Sequence, residues 1–276
     1  MDRAARRYVA GPLLADALAV AARITGRGAK VTLGYLNAED DPPRRVADAH
    51  LGAIAGAPAG SRVSIKVPGL GFDPELLDEV LAAAAERDVA VQVDSLRHQD
   101  AAPTLALLGP RSGHRSGGEP LGVTLPGRWL RSDPDAEDAL QLGLRVRVVK
   151  GQFPAPDREA RDPTRGALSL VERFAGRAGL VLLASHDPRL VSESAGILRT
   201  GETPTELELL YGIPTRRAVG AASQASLPVR LYIPFGSAFL PYPLRGAGPR
   251  MAARLIRDLL RSERGDPLRE LAGGAR

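Results

Sequence analysis

The sequence predicts an α/β protein folded as a (β/α)8 barrel. Eight short β-branched runs recur along the chain, and a segment with helical spacing can follow each of them. The 276 residues suit a barrel of about 250 residues. No GxGxxG motif follows the first strand, which disfavours the alternative, a doubly wound open sheet. We therefore expect an N-terminal extra helix within residues 1–29, a TIM-like barrel at 30–262 and a tail at 263–276.

The predicted strands are apolar runs bounded by turn residues. They are Lys30–Leu36, Arg62–Val67, Val89–Asp94, Leu121–Leu125, Arg145–Lys150, Gly179–Ala184, Glu206–Tyr211 and Val229–Tyr232. The fifth differs because Arg145 and Arg147 alternate with valines. A buried guanidinium needs an acceptor-rich partner, so Arg147 indicates a bound ligand such as a phosphate. Gly151, just after this strand, would let the backbone approach that ligand closely.

The helical segments between the strands begin at recognisable N-caps. Asp73 and Pro74 open the clearest one, in which apolar residues then recur at helical spacing. Further predicted helices begin at Ser132 and Asp187 or cover Leu13–Ile24 and Arg250–Arg261. The glycine- and proline-rich segment 109–122 is predicted to be a mobile loop.

The composition excludes several classes of protein. The chain has no cysteine, so it has neither disulfide nor thiolate chemistry. It has no run of about 18 apolar residues that could span a membrane. Its net charge of +5 is scattered, and 4% aromatic residues are too few for a nucleic-acid stacking platform. Only three lysines accompany 34 arginines, so Lys66 and Lys150, both at strand ends, are candidates for a site that needs a compact ammonium.

Polar side chains collect at the carboxyl ends of the predicted strands, where barrel enzymes carry their chemistry. Lys66 ends the second strand, Asp94 the third and Lys150 the fifth, while His186 follows the sixth and Tyr232 ends the eighth. Each has a simpler explanation, such as a lysine that reaches solvent, a capping aspartate or a hydrogen-bonded core histidine. Because all these ends meet at one mouth, a site there is favoured.

In chain order, these motifs resemble the proline dehydrogenase family. The matching segments are Ser64-Ile65-Lys66, Asp94, Arg147-Val148-Val149-Lys150-Gly151-Gln152-Phe153, Ala184-Ser185-His186-Asp187, Leu210-Tyr211-Gly212-Ile213, Arg230-Leu231-Tyr232-Ile233-Pro234-Phe235-Gly236 and Tyr242-Pro243-Leu244-Arg245. No single motif is specific, but the ordered set from residue 30 to about residue 260 is.

The resemblance implies a flavoprotein oxidoreductase of proline catabolism. It would oxidise L-proline to 1-pyrroline-5-carboxylate by hydride transfer to FAD and pass electrons to a quinone-type acceptor, with a separate pyrroline-carboxylate dehydrogenase acting downstream. The implied catalytic residues are Lys66, Asp94, Tyr232, Tyr242 and Arg245. The implied FAD-binding residues are Arg147, Val149, Lys150, Gly151, Ser185, His186 and Glu208, and no metal is implied. A cytoplasmic location is expected, alone or with a peripheral contact at the inner face of the membrane.

Several positions depart from the family pattern. Gly246 replaces the second arginine of a pair that grips the substrate carboxylate, Glu208 replaces a glutamine, and Gly34 replaces an aspartate. Ser95-Leu96 and Leu125-Pro126-Gly127 replace two further motifs. These changes leave two alternatives open: flavin-dependent oxidation of a modified or tethered amino acid or amine, or a non-catalytic paralogue.

Overall fold

The computed structural model describes residues 10–94 and 97–236, and within them eight parallel strands close into a barrel. The strands are β1 (Lys30–Tyr35), β2 (Arg62–Ile65), β3 (Ala90–Val93), β4 (Gly122–Pro126), β5 (Arg145–Val149), β6 (Val181–Ala184), β7 (Thr205–Leu210) and β8 (Val229–Phe235). Each pairs with its neighbours along the chain, and β8 closes the barrel against β1. The predicted (β/α)8 barrel is therefore confirmed, with strand ends displaced by a few residues at most.

The α-helices in the described part of the chain surround the barrel. They are α1 (Leu14–Thr25), α2 (Pro43–Gly56), α3 (Pro74–Glu86), α4 (Ala101–Leu108), α5 (Ser132–Gln141), α6 (Pro163–Phe174), α7 (Pro188–Thr200) and α8 (Arg216–Gln224). Helices α2 to α8 each follow one strand, whereas α1 precedes β1 and packs against β1 and β8. The predicted N-caps Asp73 and Asp187 are confirmed, because both carboxylates accept hydrogen bonds from backbone N–H groups of the first turn. The predicted helix Arg250–Arg261 lies outside the described residues.

The strands present different residues to their two faces. The hydrophobic core lies between the barrel and the helices and takes one apolar set from every strand, including Val146 and Val148 of β5. The alternate residues face the lumen, where contacts join strands that are not neighbours, as between Arg62 of β2 and Glu206 of β7. The charges in β5 follow from this alternation, because Arg145 and the second arginine of the strand point inward.

Segment 109–122 is ordered, and its prediction as a mobile loop was wrong. It forms a 3-10 turn at Gly109–Arg111 and an antiparallel hairpin that pairs Arg115–Ser116 with Glu119–Pro120. Gly117 and Gly118, two of the glycines that suggested mobility, form the turn of this hairpin, and both have positive φ. Glu119 then reaches the amino end of the barrel and binds two lumenal arginines.

Among the described residues, no helix combines the length and apolar character needed to cross a membrane.

Candidate active site

Charged side chains fill the barrel lumen in two layers. The lower layer, at the amino ends of the strands, consists of Arg62, Glu119, Arg145, Glu206 and Arg230. The upper layer, at the carboxyl ends, consists of Ser64, Lys66, Asp94, Arg147, Glu208 and Tyr232. Barrel enzymes place their chemistry at the carboxyl ends of the strands, so the upper layer is the candidate active site.

Asp94 is the central acceptor of the upper layer. Its Oδ1 accepts hydrogen bonds from Ser64 Oγ at 2.7 Å and from the Arg147 guanidinium. Its Oδ2 accepts from the Tyr232 hydroxyl at 3.2 Å and lies 3.3 Å from Lys66 Nζ. Burial alone would raise the pKa of Asp94, but the two cations and the serine hydroxyl outweigh it and hold this pKa below its usual value. Asp94 is therefore a carboxylate at neutral pH and joins four polar side chains.

Arg147 lies between two carboxylates of the chain itself. Its Nη1 donates to Glu208 Oε2 at 2.7 Å, its Nε donates to Thr124 Oγ1 at 3.0 Å, and its Nη2 donates to Asp94. The other oxygen of Glu208 accepts from Thr32 Oγ1 at 2.6 Å. Burial opposes the charge on Arg147, but both carboxylates outweigh it and raise the pKa of this guanidinium. The charge on Arg147, which was expected to require a ligand, is therefore neutralised within the barrel. Glu208, a residue that departs from the family pattern, supplies part of that neutralisation.

Burial in the barrel disfavours the charged form of Lys66. The residue is only 3% exposed, and its Nζ donates to the carbonyl of Tyr35 at 2.8 Å. Burial lowers the pKa of Lys66; Asp94 offsets part of that effect, and Arg147 adds to it. The ammonium does not reach solvent, as the simpler explanation required, and it releases a proton more readily than an ordinary lysine.

Tyr232 covers the upper layer from β8. The guanidinium carbon of Arg147 lies 5.6 Å from the centre of the tyrosine ring, within the range of a cation–π contact. A side chain at residue 34 would collide with the Tyr232 hydroxyl. Gly34, a departure from the family pattern, therefore makes room for the hydroxyl that donates to Asp94.

The carboxyl ends of β5 and β6 form a polar ledge beside the upper layer. Val149 pairs with Ala184 across these strands, which sets Lys150 and Ser185 side by side. Lys150 Nζ donates to Asp187 Oδ2 at 2.6 Å, and this hydrogen bond lowers the pKa of Asp187. Ser185 Oγ accepts from the backbone N–H of Asp187 at 3.1 Å, so its own proton remains available. The ledge thus offers hydrogen-bond donors next to a partly exposed ammonium.

His186 and Gly151, both predicted to bind FAD, make close contacts within the protein. His186 Nδ1 donates to the Pro214 carbonyl at 3.2 Å and its Nε2 accepts from Leu210 N–H at 2.9 Å, an arrangement that requires a neutral ring. Burial lowers the pKa of His186 to about 4. Gly151 has φ of +91°, and a Cβ there would lie 2.7 Å from Cβ of Pro126. The space left by Gly151 therefore accommodates the end of β4, and a role of either residue toward FAD stays a prediction.

The lower layer was not predicted from the sequence. The Glu119 carboxylate accepts two hydrogen bonds from Arg62, both at 2.7 Å, and another from Arg145. The Glu206 carboxylate pairs with Arg62 and Arg230. Burial lowers the pKa of Arg145 to about 9, which still leaves it protonated at neutral pH. Part of the signal was present in the sequence, because charged residues alternate with apolar ones at Arg145 and Arg147 and at Glu206 and Glu208. Tyr242 and Arg245 lie outside the described residues.

The fold and the upper layer together define a (β/α)8-barrel protein with a polar, charge-balanced mouth. No family model matches the chain. It is 26% identical over 280 residues to proline dehydrogenase 1 of Bacillus subtilis strain 168, covering 93% of this chain and 91% of the relative. The predicted resemblance is confirmed: the chain is similar to curated proline dehydrogenases over nearly its whole length.

Solved structures support the same fold. The proline utilization A (PutA) structure from Bdellovibrio bacteriovorus, inactivated by N-propargylglycine, matches with a TM-score of 0.73 and 15% identity. The match covers 99% of this chain and 34% of that one. PutA from Corynebacterium freiburgense matches with a TM-score of 0.64 and 16% identity over 93% of this chain and 31% of that one. The chain thus spans about a third of the length of these PutA proteins.

Proposed function

We propose that the protein is a flavin-dependent oxidoreductase that oxidises L-proline to 1-pyrroline-5-carboxylate. The carrying observation is the upper layer, in which Lys66, Asp94, Arg147 and Tyr232 meet at the carboxyl ends of four strands. The names of the curated relatives support the same oxidoreductase class. The downstream partners, a quinone-type acceptor and a separate pyrroline-carboxylate dehydrogenase, are part of this proposal.

The residues present fit FAD at the mouth of the barrel. A flavin needs hydrogen-bond donors along its polar edge, and its diphosphate needs positive charge. The ledge offers a partly exposed ammonium at Lys150 and a hydroxyl proton at Ser185. Arg128, at the adjacent end of β4, has a buried Nε with no hydrogen-bond partner among the described residues. FAD, when bound, would supply the two-electron acceptor for the substrate.

The upper layer would hold the amino acid in the orientation that oxidation requires. Lys66 and Asp94 would bind the polar edge of the substrate, and Tyr232 would cover its ring and exclude water. Because burial lowers the pKa of Lys66, its Nζ is suited to exchange a proton with the substrate nitrogen, which must be neutral before the adjacent ring carbon can lose hydride. Arg245 would pair with the substrate carboxylate, and Tyr242 would form the opposite wall.

Gly246 favours a second candidate substrate. With one arginine of the clamp absent, a substrate whose carboxylate is modified or tethered would lose less binding energy than free proline. The flavin chemistry would be unchanged. Faster turnover of L-prolinamide, in which an amide replaces the carboxylate, than of L-proline would favour this candidate.

A visible absorbance spectrum of the purified protein, loaded with FAD, tests the proposal. We expect a yellow protein whose visible absorbance is lost on anaerobic addition of L-proline. A yellow protein that keeps its absorbance would redirect the proposal to another substrate. A protein that cannot be loaded with FAD would exclude the flavin-dependent function and leave the non-catalytic alternative.

A further inference from the structure

The loops after β4 and β5 are joined into one rim at the mouth of the barrel. The backbone of Arg128 is hydrogen-bonded twice: its N–H donates to the Lys150 carbonyl at 3.0 Å, and its carbonyl accepts from Arg161 N–H at 2.9 Å. Next to it, Trp129 is 1% exposed and donates from Nε1 to the Phe153 carbonyl at 3.0 Å. The position of residue 128 is therefore fixed by its neighbours.

The side chain of Arg128 lies across Gly151. A Cβ at Gly151 would be 3.1 Å from Cγ and 3.6 Å from Cδ of Arg128, so the glycine provides the space for this aliphatic stem. Nη1 of Arg128 makes one long hydrogen bond of 3.4 Å to the Gln152 carbonyl. Its Nε is buried without a partner, a state that costs free energy in proteins. Arg128 is thus a held guanidinium whose donors are not satisfied by residues 10–94 and 97–236.

Four other cations at this mouth have carboxylate partners, which Arg128 lacks among the described residues. Lys66 and Arg147 pair with Asp94, and Lys150 pairs with Asp187 at 2.6 Å. Arg161, on the same rim, pairs with Asp133 at 2.8 Å. Arg128 has no carboxylate oxygen within 4 Å in the described part of the chain. Among these five cations, Arg128 is therefore the one whose charge has no carboxylate partner in the described part of the chain.

We propose that Arg128 is an anion-recognition residue of the barrel mouth, which binds a carboxylate or phosphate group of a ligand through its guanidinium fork. The guanidinium matches both anions in geometry, and a charge-assisted pair would supply the anionic partner that Arg128 lacks among the described residues. The identity of the ligand rests on the proposed function: the carboxylate would be that of the amino acid substrate, and the phosphate that of the FAD diphosphate.

The chain contains a reporter for this test, because its single tryptophan, Trp129, is adjacent to Arg128. Tryptophan fluorescence of the full chain would be titrated with L-proline, with L-prolinamide, which lacks the carboxylate, and with inorganic pyrophosphate. Three variants would be compared: Arg128→Gln, Arg128→Lys and, as a matched control, Arg199→Gln, which removes an exposed arginine at the end of α7. Far-UV circular dichroism would verify that each variant is folded.

We expect a saturable fluorescence change with L-proline or with pyrophosphate in the wild type and in Arg199→Gln. The dissociation constant should rise about tenfold or more in Arg128→Gln and less in Arg128→Lys, because lysine keeps the charge but loses the fork. A response to L-proline without one to L-prolinamide would identify the substrate carboxylate, and a response to pyrophosphate would identify the cofactor phosphate.

The proposal is overturned if neither probe gives a saturable change in the wild type, or if folded Arg128→Gln binds as the wild type does. Its failure can be distinguished from failure of the proposed function. A wild type that binds pyrophosphate through Arg128 but never oxidises proline would keep the anion site and reject proline dehydrogenation. If instead Arg128→Gln oxidises proline as well as the wild type does, with unchanged KM and FAD retention, the proposed function is kept and the anion site is rejected.

Discussion

The two charged layers of the lumen use similar residues in different ways. In the lower layer, guanidinium groups are bound by carboxylates and also by backbone carbonyls, as when Arg145 donates to Val91 and Arg230 donates to Val31. Glu119 completes that layer from the hairpin. In the upper layer, the charges are also balanced, but burial lowers the pKa of Lys66. Tyr232, at the mouth of the barrel, donates a hydrogen bond to Asp94 in the same layer. From this difference we infer a structural role for the charges at the amino end of the barrel and a chemical role for those at the carboxyl end.

The largest expected effect comes from breaking the lower layer. Glu206→Gln would leave Arg230 without a carboxylate and Arg62 with only Glu119, so we expect a loss of about 3–5 kcal/mol in the free energy of unfolding, measured in urea. The control is Glu137→Gln, which breaks a surface pair with Arg177 and should change the free energy of unfolding far less. Equal losses in the two variants would contradict a structural role for the lower layer.

A substitution in the upper layer should separate activity from stability. Lys66→Met removes the buried ammonium but leaves Asp94 paired with Arg147, so we expect kcat/KM for L-proline to fall about 100-fold while the free energy of unfolding falls by less than in Glu206→Gln. Steady-state kinetics and urea unfolding measure the two quantities. Lys30→Met, at the exposed start of β1, serves as the matched control and should alter neither. If Lys66→Met lost stability but kept its turnover of L-proline, the role of Lys66 would be structural and not catalytic.

The flank of the upper layer should be sensitive to acid. His50 of α2 is fully buried, both of its ring nitrogens lack partners among the described residues, and its ring meets Tyr35 edge-on at 6.1 Å. Burial lowers the pKa of His50 to about 3; the charge of Lys66 lowers it further, and that of Asp94 opposes this shift. The unfolded histidine has a pKa of about 6.5, so the unfolded state binds the proton first as the pH falls.

Stability should therefore be fully retained above about pH 6.5 and decline toward about pH 3, by about 1.4 kcal/mol per pH unit for this one residue. His50→Phe should remove that part of the slope while leaving stability above pH 7 nearly independent of pH. Urea unfolding of both proteins at pH 7, 6 and 5 would measure it. Parallel pH profiles for the wild type and the variant would show that His50 is not the acid-sensitive group.

The smallest expected effect concerns the tyrosine at the mouth. Tyr232→Phe removes the hydroxyl that donates to Asp94 at 3.2 Å and keeps the ring over Arg147. A hydrogen bond to a charged group contributes about 1.5–3 kcal/mol at most, and at this length we expect about 1 kcal/mol, or a five- to tenfold fall in kcat/KM. An increase in activity would contradict a positioning role for the hydroxyl.

Local sequence patterns predicted most of the fold. The eight strands followed from short β-branched runs, and helix starts such as Asp73 and Asp187 followed from capping chemistry that involves only neighbouring residues. The hairpin was missed because its glycines suit a tight turn and a mobile loop equally well. Its order depends on Glu119 binding Arg62, a contact between residues far apart in the chain.

The candidate site was predicted in its membership but not in its pairing. Lys66, Asp94 and Tyr232 were selected because strand ends converge in a barrel, and Arg147 because a guanidinium within a strand needs an acceptor-rich partner. That Arg147 is neutralised by Glu208 rather than by a ligand depends on a contact across the lumen, which no local pattern shows. The same holds for Arg128, whose importance follows from the absence of a carboxylate within reach in the described structure.

The most direct test of this account is the anaerobic reduction of the FAD-loaded protein by saturating L-proline, followed by visible absorbance in the wild type, Lys66→Met and Glu206→Gln. The account predicts rapid loss of flavin absorbance in the wild type, reduction at least tenfold slower in Lys66→Met, and a near wild-type rate in whatever fraction of Glu206→Gln remains folded. Equal rates in the wild type and Lys66→Met, or no reduction of wild-type flavin at all, would contradict the assignment of the upper layer as a proline-oxidising site.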